Sequence, residues 1–417
     1  MKVFKFGGAS VKDAQGIQNV VAVLEKVGHL NTLLVVSAMG KSTNALEEII
    51  RLFLAKDTEL KMAIQDLKKY HNAIALDLFE NENHAVFKAI EEQFTDLERF
   101  LSHTKSPNYS FIYDQVVSVG ELLSSTLLSY YLTHINYPNH WLDIRTVLHT
   151  DSNYREGHVN WERTQNSIVK TIKKDTLYIT QGFIGADENN FTTTLGREGS
   201  DYTAAILGYC LNAESVTIWK DVPGVLNADP RYFKDTIKLD QISYREAIEL
   251  AFYGASVIHP KTLQPLQRKE IPLYVKSFLE PLLPGTCVSK GVDLEPHTPC
   301  FILKRNQILL SLSSLDFSFI VEKHLSAVFA LFDTHKIKVN MIQNSAISFS
   351  VCLEDIYGNF EALRKALSTT FKVQYNTNVD LYTIRHFTKE AQQKTEDNKT
   401  ILLKQINRNT IQLVVKS

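Results

Sequence analysis

The chain has 417 residues, 44% apolar and 22% charged, which is the balance of a globular protein long enough for two or three domains. A formal net charge of -1 leaves no basic surplus, which argues against a nucleic-acid or anionic-membrane surface. No apolar run reaches the roughly 20 residues of a membrane span, and MKVFKFGG opens the chain without a charged leader and apolar core.

Val3 to Phe6 reads as a short buried strand ended by Gly7-Gly8, followed by a helix through Ile17, Val20, Val21 and Leu24. Leu33 to Val36 is a second strand, again followed by small residues, Ser37-Ala38-Met39-Gly40. Leu46, Ile49, Ile50 and Phe53 then recur at i, i+3, i+4 and i+7, and amphipathic helix continues to about Phe100. Pro107 breaks it, and a further helix runs from about Tyr113 to Leu132. From 140 to 290 strands and helices alternate: strands at Leu177–Thr180, Ser215–Trp219 and Leu273–Ser277, helices at Asp201–Cys210 and Tyr244–Tyr253. Such alternation predicts an α/β sandwich with a mostly parallel sheet, whose strand C-terminal ends face the ligand.

Pro284, Gly285, Gly291, Pro296 and Pro299 mark a boundary at 285–304. Beyond it, strand 308–312, helix 319–335, strands 337–342 and 347–353, helix 360–371 and strand 373–376 follow a βαββαβ, ferredoxin-like order. A second unit starts at Val379 and reads as one helix and one strand short of a full copy. Cys210, Cys287, Cys300 and Cys352 form no CxxC pair and no metal-ligand spacing, as expected of buried thiols in a reducing, cytoplasmic setting.

Three stretches carry chemistry. In Lys5-Phe6-Gly7-Gly8-Ala9-Ser10 a strand-end lysine precedes two glycines, which lets backbone approach a phosphate while the ammonium neutralises charge. No GxxxxGK[ST] is present, so this is not a P-loop. Gly196-Arg197-Glu198-Gly199-Ser200-Asp201 sets small residues, an arginine suited to a carboxylate and an acid at a helix start, where free N–H groups attract anions. Lys220-Asp221-Val222-Pro223-Gly224 and Asn227-Ala228-Asp229-Pro230-Arg231 are two strand-end turns able to hold a nucleotide. Taken singly, each also reads as an ordinary cap or surface turn.

Together these segments resemble the aspartokinase family of the amino-acid kinase superfamily. The likeness covers residues 1 to about 290, through KFGGAS, VVSAMGKSTNAL, SVGELLS, WLDIR, YITQGFIG, LGREGSDYTAA, WKDVPGVLNADPR and YGASVIHPKTL in order. The tail resembles that family's tandem ACT regulatory modules. The resemblance implies a three-layer αβα kinase domain over 1–290, a first ACT-like domain over 304–377 and a truncated second over 378–417. It implies ATP and Mg²⁺ as phosphoryl donor and cofactor, L-aspartate as acceptor, and 4-phospho-L-aspartate as product. The chain is expected to be monofunctional, since 417 residues leave no room for a fused homoserine dehydrogenase.

By the same match, Lys5 and Asp201 would be catalytic. Ser37, Thr43, Glu121, Arg197 and Ser200 would hold aspartate, with Glu121 suited to its ammonium and Arg197 to its α-carboxylate. Lys5, Gly7, Gly8, Ser10, Lys220, Asp221, Leu226, Arg231 and Ser256 would line the ATP site. The chain departs from the pattern at Ala9, Glu198, Lys220 and Ser256, where the family usually has Thr, Gly, Thr and Lys; Lys220 is expected to compensate for the charge lost at Ser256. In the tail, Val339-Asn340-Met341-Ile342-Gln343-Asn344-Ser345-Ala346 lacks two family acids suited to an effector ammonium, so lysine is expected to inhibit weakly or not at all. Edge strands of the ACT-like sheets suit a homodimer or higher homo-oligomer. A sister carboxylate kinase acting on glutamate and a silent amino-acid sensor are the competing readings, separated by turnover of ATP with aspartate.

Overall fold

The computed structural model describes residues 1–255, 258–291, 293–316 and 318–416. In chain order the elements are β1 (Lys2–Phe6), α1 (Ala14–Val27), β2 (Thr32–Val36), α2 (Ser42–Ala55), α3 (Leu60–Phe79), α4 (Ala85–His103), α5 (Tyr109–His134), β3 (His140–Leu142), α6 (Trp161–Thr171), β4 (Tyr178–Gln181), β5 (Ile184–Ala186), β6 (Thr192–Thr194) and α7 (Gly199–Leu211). They continue with β7 (Ser215–Lys220), β8 (Gln241–Ser243), α8 (Tyr244–Tyr253), α9 (Pro260–Arg268), β9 (Leu273–Ser277), β10 (Thr286–Ser289), β11 (Leu294–Glu295), β12 (Cys300–Ser314), α10 (Glu322–Thr334), β13 (Lys338–Asn344), β14 (Ser348–Glu354), α11 (Phe360–Leu367), β15 (Phe371–Arg385), α12 (Lys389–Glu396), β16 (Thr400–Ile406) and β17 (Thr410–Lys416). They gather into two compact units, residues 1–225, 238–248 and 257–293, and residues 226–237, 249–256 and 294–417.

In the first unit the sheet order runs β8-β10-β9-β7-β1-β2-β4-β3. All neighbours are parallel except β9 and β10. The central strands are buried almost throughout because both faces are covered. Side chains alternate across β1. Phe4 and Phe6 enter a core shared with α1 to α5 and with Trp219, against which Phe6 stacks at 6.1 Å and 8°. Truncating Phe6 to Ala would cost about 3–5 kcal/mol. The alternation turns Val3 and Lys5 to the opposite face, where α7 packs on β1 and β2.

The long amphipathic stretch is three helices, not one. Left-handed Lys56 and Glu80 end α2 and α3 at polar turns. Helix α5 begins four residues earlier than periodicity suggests, because Asn108 caps it by accepting from Ser110 and Phe111 N–H at 2.9 and 3.2 Å. Helix α7 likewise opens at Gly199, with left-handed Glu198 as its N-terminal flank, not at Ser200 or Asp201.

The second unit is one antiparallel sheet in the order β13-β14-β12-β15-β17-β16. Within β12, α10, β13, β14, α11 and β15 the strand neighbours are those of a ferredoxin-like unit, with α10 and α11 closing a core around Leu310, Leu312, Phe349 and Val351. Strand β15 runs unbroken through 377 and 378, so both ACT-like stretches share this sheet. The strand expected to be missing from the second stretch is supplied from upstream: Cys300–Lys304 of β12 pairs antiparallel with Arg385–Leu381 of β15. A pairing across some 80 residues leaves no local signal in the sequence.

Candidate active site

Strands β7, β1, β2 and β4 end level with one another, Phe6 opposite both Val36 and Trp219, and Val36 opposite Gln181. The turns that follow, Gly7-Gly8, Ser37-Ala38, Lys220-Asp221 and Gly182, therefore share one sheet edge. Ser37 N–H donates to Phe6 O at 3.1 Å and Gly40 N–H to Gly8 O at 3.0 Å, fastening the first two turns together. A Cβ on Gly8 would stand 2.6 Å from Ala38 O, so only glycine permits that approach. Half a molecule away in sequence, a Cβ on Gly182 would stand 2.4 Å from Ser200 Cβ, so Gly182 lets the α7 N-terminus reach the edge.

Lys5, turned to the α7 face, places Nζ 2.7 Å from Asp201 Oδ1 in the first turn of that helix. The side chains are 11% and 6% exposed. The free N–H groups and dipole at this end favour negative charge. Ser10 lies buried beside them, with its Oγ donating to Trp219 O at 3.5 Å. Gly7, Gly8, Ser10, Lys5, Ser200 and Asp201 are thus brought together as one anion-receptive floor.

Glu121 projects from α5 to the Ser37-Ala38 turn, where Oε1 accepts from Ala38 N–H at 3.3 Å. Its Oε2 is buried without a hydrogen-bond partner. Burial pushes this carboxyl up to about 8 against the opposing pull of the Ala38 N–H and the Lys5 ammonium. An orphaned buried carboxylate oxygen is costly unless a cation meets it. Ser37 and Thr43 are half-buried on the same loop and at the start of α2, and Arg197 is exposed on the turn before α7. Asp114, one residue the motif reading passed over, is fully buried on α5 and accepts from Thr194 N, Thr194 Oγ1 and Arg155 N at 2.8, 2.8 and 2.9 Å. Its sequence signal was an acid seven positions before Glu121 on a helix that carries no other Asp, Glu, Lys or Arg.

Lys220 and Asp221 end β7 at this edge, Lys220 half-buried and Asp221 exposed. Glu198 holds φ 52 and is raised by burial first and by Asp201 second, with Lys220 and Arg197 opposing. Its Oε2 is buried without a hydrogen-bond partner. Leu226 and Arg231 belong to the second unit, where Arg231 clamps Asp229 through Nε and Nη2 at 3.0 and 2.6 Å. Ser256 lies outside the described residues. Among the described residues no group of three or more His, Cys, Asp or Glu forms a metal cage.

A strand-end lysine facing a helix-N-terminal aspartate across a glycine-lined parallel sheet edge is the layout of a phosphoryl-transfer site without a P-loop. The model of the amino acid kinase family matches residues 1–277, and the chain belongs to that family. Its relatives narrow the class. The lysine-sensitive aspartokinase 3 of Escherichia coli is 32% identical over 365 residues, 84% of this chain and 78% of the relative. The aspartokinase of Chlamydia trachomatis is 34% identical over 311 residues, covering 74% and 69%. The crystal structure of E. coli aspartokinase III with aspartate and ADP superposes with a TM-score of 0.82 at 27% identity, covering 100% of this chain and 96% of that one. Within its family, then, the chain is one of the aspartokinases. It spans 42% of the length of a carrot bifunctional aspartokinase/homoserine dehydrogenase to which it is also similar.

Proposed function

We propose that this chain transfers the γ-phosphoryl group of ATP to the side-chain carboxylate of L-aspartate. A carboxylate oxygen attacks Pγ, the bond from Pγ to the bridging oxygen breaks, and ADP leaves with the electron pair. A carboxylate is already ionised at neutral pH, so the reaction asks for alignment and charge neutralisation and not for a strong base. The observation that carries the reading is the Lys5–Asp201 pair at the glycine-lined edge. In this reading Lys5 and the N–H groups after Gly7, Gly8 and Ser10 take up the charge that develops on the transferring group. Asp201 holds Lys5 in place. Glu121, with its unpartnered buried oxygen, meets the substrate ammonium; Arg197 takes the α-carboxylate; Ser37, Thr43 and Ser200 bound the remainder.

The ATP site extends to Lys220 and Asp221 at the end of β7. Mg²⁺, when bound, screens the triphosphate and draws electron density from the bridging oxygen. The donor set here suits a cation carried in on phosphate, with the Glu198 Oε2 as the protein ligand at hand. The product would be 4-phospho-L-aspartate, which feeds lysine, threonine and methionine synthesis, and the proposal covers the kinase activity alone. No described helix is long and apolar enough to cross a membrane, in keeping with a cytoplasmic enzyme. The antiparallel sheet of the second unit exposes edge strand β13 with Ile342 and neighbouring Ile347, a surface that suits homo-oligomers.

Lysine control of the E. coli relative is not expected here. Asn340 Oδ1 accepts from the chain's own Lys304 Nζ at 2.8 Å and its Nδ2 donates to Gln307 Oε1 at 2.7 Å, leaving a neutral, engaged amide. The test of the activity is ADP release with MgATP and L-aspartate, hydroxylamine trapping of the acyl phosphate, and L-glutamate in parallel. Aspartate-dependent release supports the proposal; release with glutamate alone supports the sister kinase, and none from folded protein supports the silent sensor.

A further inference from the structure

Helix α5 carries two buried carboxylates, Asp114 and Glu121, seven residues apart. Seven residues bring a helix round to within about 20° and advance it about 10 Å, so both acids leave the same face. Glu121 accepts from Ala38 N–H of the turn after β2. Asp114 accepts three hydrogen bonds from two other segments: Thr194, the last residue of β6, gives its N–H and hydroxyl at 2.8 Å each, and Arg155 gives its N–H at 2.9 Å.

Both Asp114 partners lead to Arg197. Thr194 stands three residues before it on a strand that Gly157 N–H holds through Thr194 O at 2.9 Å. Arg155 runs close beside the turn: a Cβ on Gly196, φ +77, would lie 3.2 Å from Arg155 O. Arg155 is itself pinned, with its guanidinium 4.4 Å above the Tyr113 ring and the Tyr113 hydroxyl donating to Glu47 at 2.9 Å. The turn is also held by Leu195 N–H, which donates to Phe183 O at 2.9 Å, and by Gly199 N–H, which donates to Gly196 O at 3.0 Å.

We propose that Asp114 is a positioning residue which, through Thr194 and Arg155, sets the Gly196–Arg197 turn at a fixed span from Glu121 on the same helix, and so tunes the site for a short amino dicarboxylate. This rests on the reading of Glu121 and Arg197 as the aspartate contacts. Asp114 touches no substrate in this account; it acts on where Arg197 stands. Removing its carboxylate leaves the buried Thr194 N–H and the part-buried Arg155 N–H without their acceptor, a loss that a shift of the turn relieves. Asparagine keeps an acceptor for both N–H groups and offers its Nδ2 to the Thr194 hydroxyl, so it preserves the geometry.

The test is steady-state kinetics of the full chain for the wild type, Asp114→Ala, Asp114→Asn, Thr194→Val and Thr194→Ser. Asp114→Ala is expected to raise the KM for aspartate about tenfold while the KM for ATP stays within about twofold, and Asp114→Asn to restore most of the difference. Thr194→Val is expected to raise the aspartate KM about threefold and Thr194→Ser to match the wild type, which decides the matter should Asp114→Ala fail to fold. Equal aspartate KM values throughout, or a parallel rise in both KM values, would overturn the proposal. A wild type without aspartate turnover contradicts the substrate reading instead. Amide hydrogen exchange of residues 194–199 then carries the test: faster exchange in Asp114→Ala or Thr194→Val supports the positioning role, and unchanged exchange overturns it.

Discussion

Lys5 Nζ and Asp201 Oδ1 stand 2.7 Å apart in a setting nearly closed to water, and each is the other's charge partner. Removing one member of such a pair strands the other, at a cost of about 3–5 kcal/mol, while replacing both by apolar residues costs less. Lys5→Met and Asp201→Leu are therefore each expected to lower the unfolding midpoint, and Lys5→Met/Asp201→Leu to lower it by less than the sum of the two losses. Urea unfolding of the four proteins measures this. Additive losses would count against the pair as a unit.

Glu121, raised to about 8, is mostly protonated at pH 7 in the free site. A substrate ammonium favours the carboxylate and displaces that proton. Titration calorimetry of aspartate at pH 7 in buffers of different ionisation enthalpy should show close to one proton released, and buffer-independent heats would refute the pairing. The folded value lies above the unfolded one, so the neutral form's contribution to stability is complete below about 4.5 and is lost as pH rises through about 8. Glu121→Gln is accordingly expected to be the more stable protein at pH 9 and to bind aspartate more weakly.

His71 is fully buried beneath the same loop, its Nε2 3.4 Å from Ser42 Oγ and its Nδ1 2.9 Å from Leu67 O. Burial depresses it to about 4. Its folded value lies below the unfolded one, so the unfolded chain takes up the proton first and stability is lost as pH falls from about 6.5 to about 4. The loss approaches 3 kcal/mol. Thermal midpoints of the wild type and His71→Leu should converge as pH falls through that window; a constant gap would show that His71 titrates freely.

Gly182→Ala sets a Cβ 2.4 Å from Ser200 Cβ and 2.8 Å from Ser200 Cα, so the α7 N-terminus must retreat. The expected result is a loss in kcat of about 10²-fold or more with a folded protein, since phosphoryl transfer depends on alignment. Circular dichroism and turnover measured together check it, and near-normal kcat would show that the helix end tolerates displacement.

What was legible in the sequence was local. The short apolar runs VFKF and LLVV marked the central strands, and the small residues after them, Gly7-Gly8 and Ser37-Ala38, marked the edge where the site forms. The Lys5–Asp201 contact was not legible from spacing, since it depends on which face of β1 the lysine occupies and on α7 crossing that face. The breaks at Lys56 and Glu80 hid inside a continuous apolar period, because left-handed Lys and Glu carry no glycine to announce them. The upstream strand Cys300–Lys304 escaped for a different reason: it completes a sheet whose other strands lie about 80 residues later, and the Pro-rich boundary drew it into a linker.

The central claim is that the γ-phosphoryl group goes to the side-chain carboxylate of aspartate with Lys5 taking up its charge. The most direct measurement is to trap the product of wild type and Lys5→Ala with hydroxylamine and identify the hydroxamate by NMR. The account predicts the β-hydroxamate of aspartate from the wild type, reduced about 10³-fold in Lys5→Ala. Formation of the α-hydroxamate, or undiminished β-product from Lys5→Ala, would contradict it.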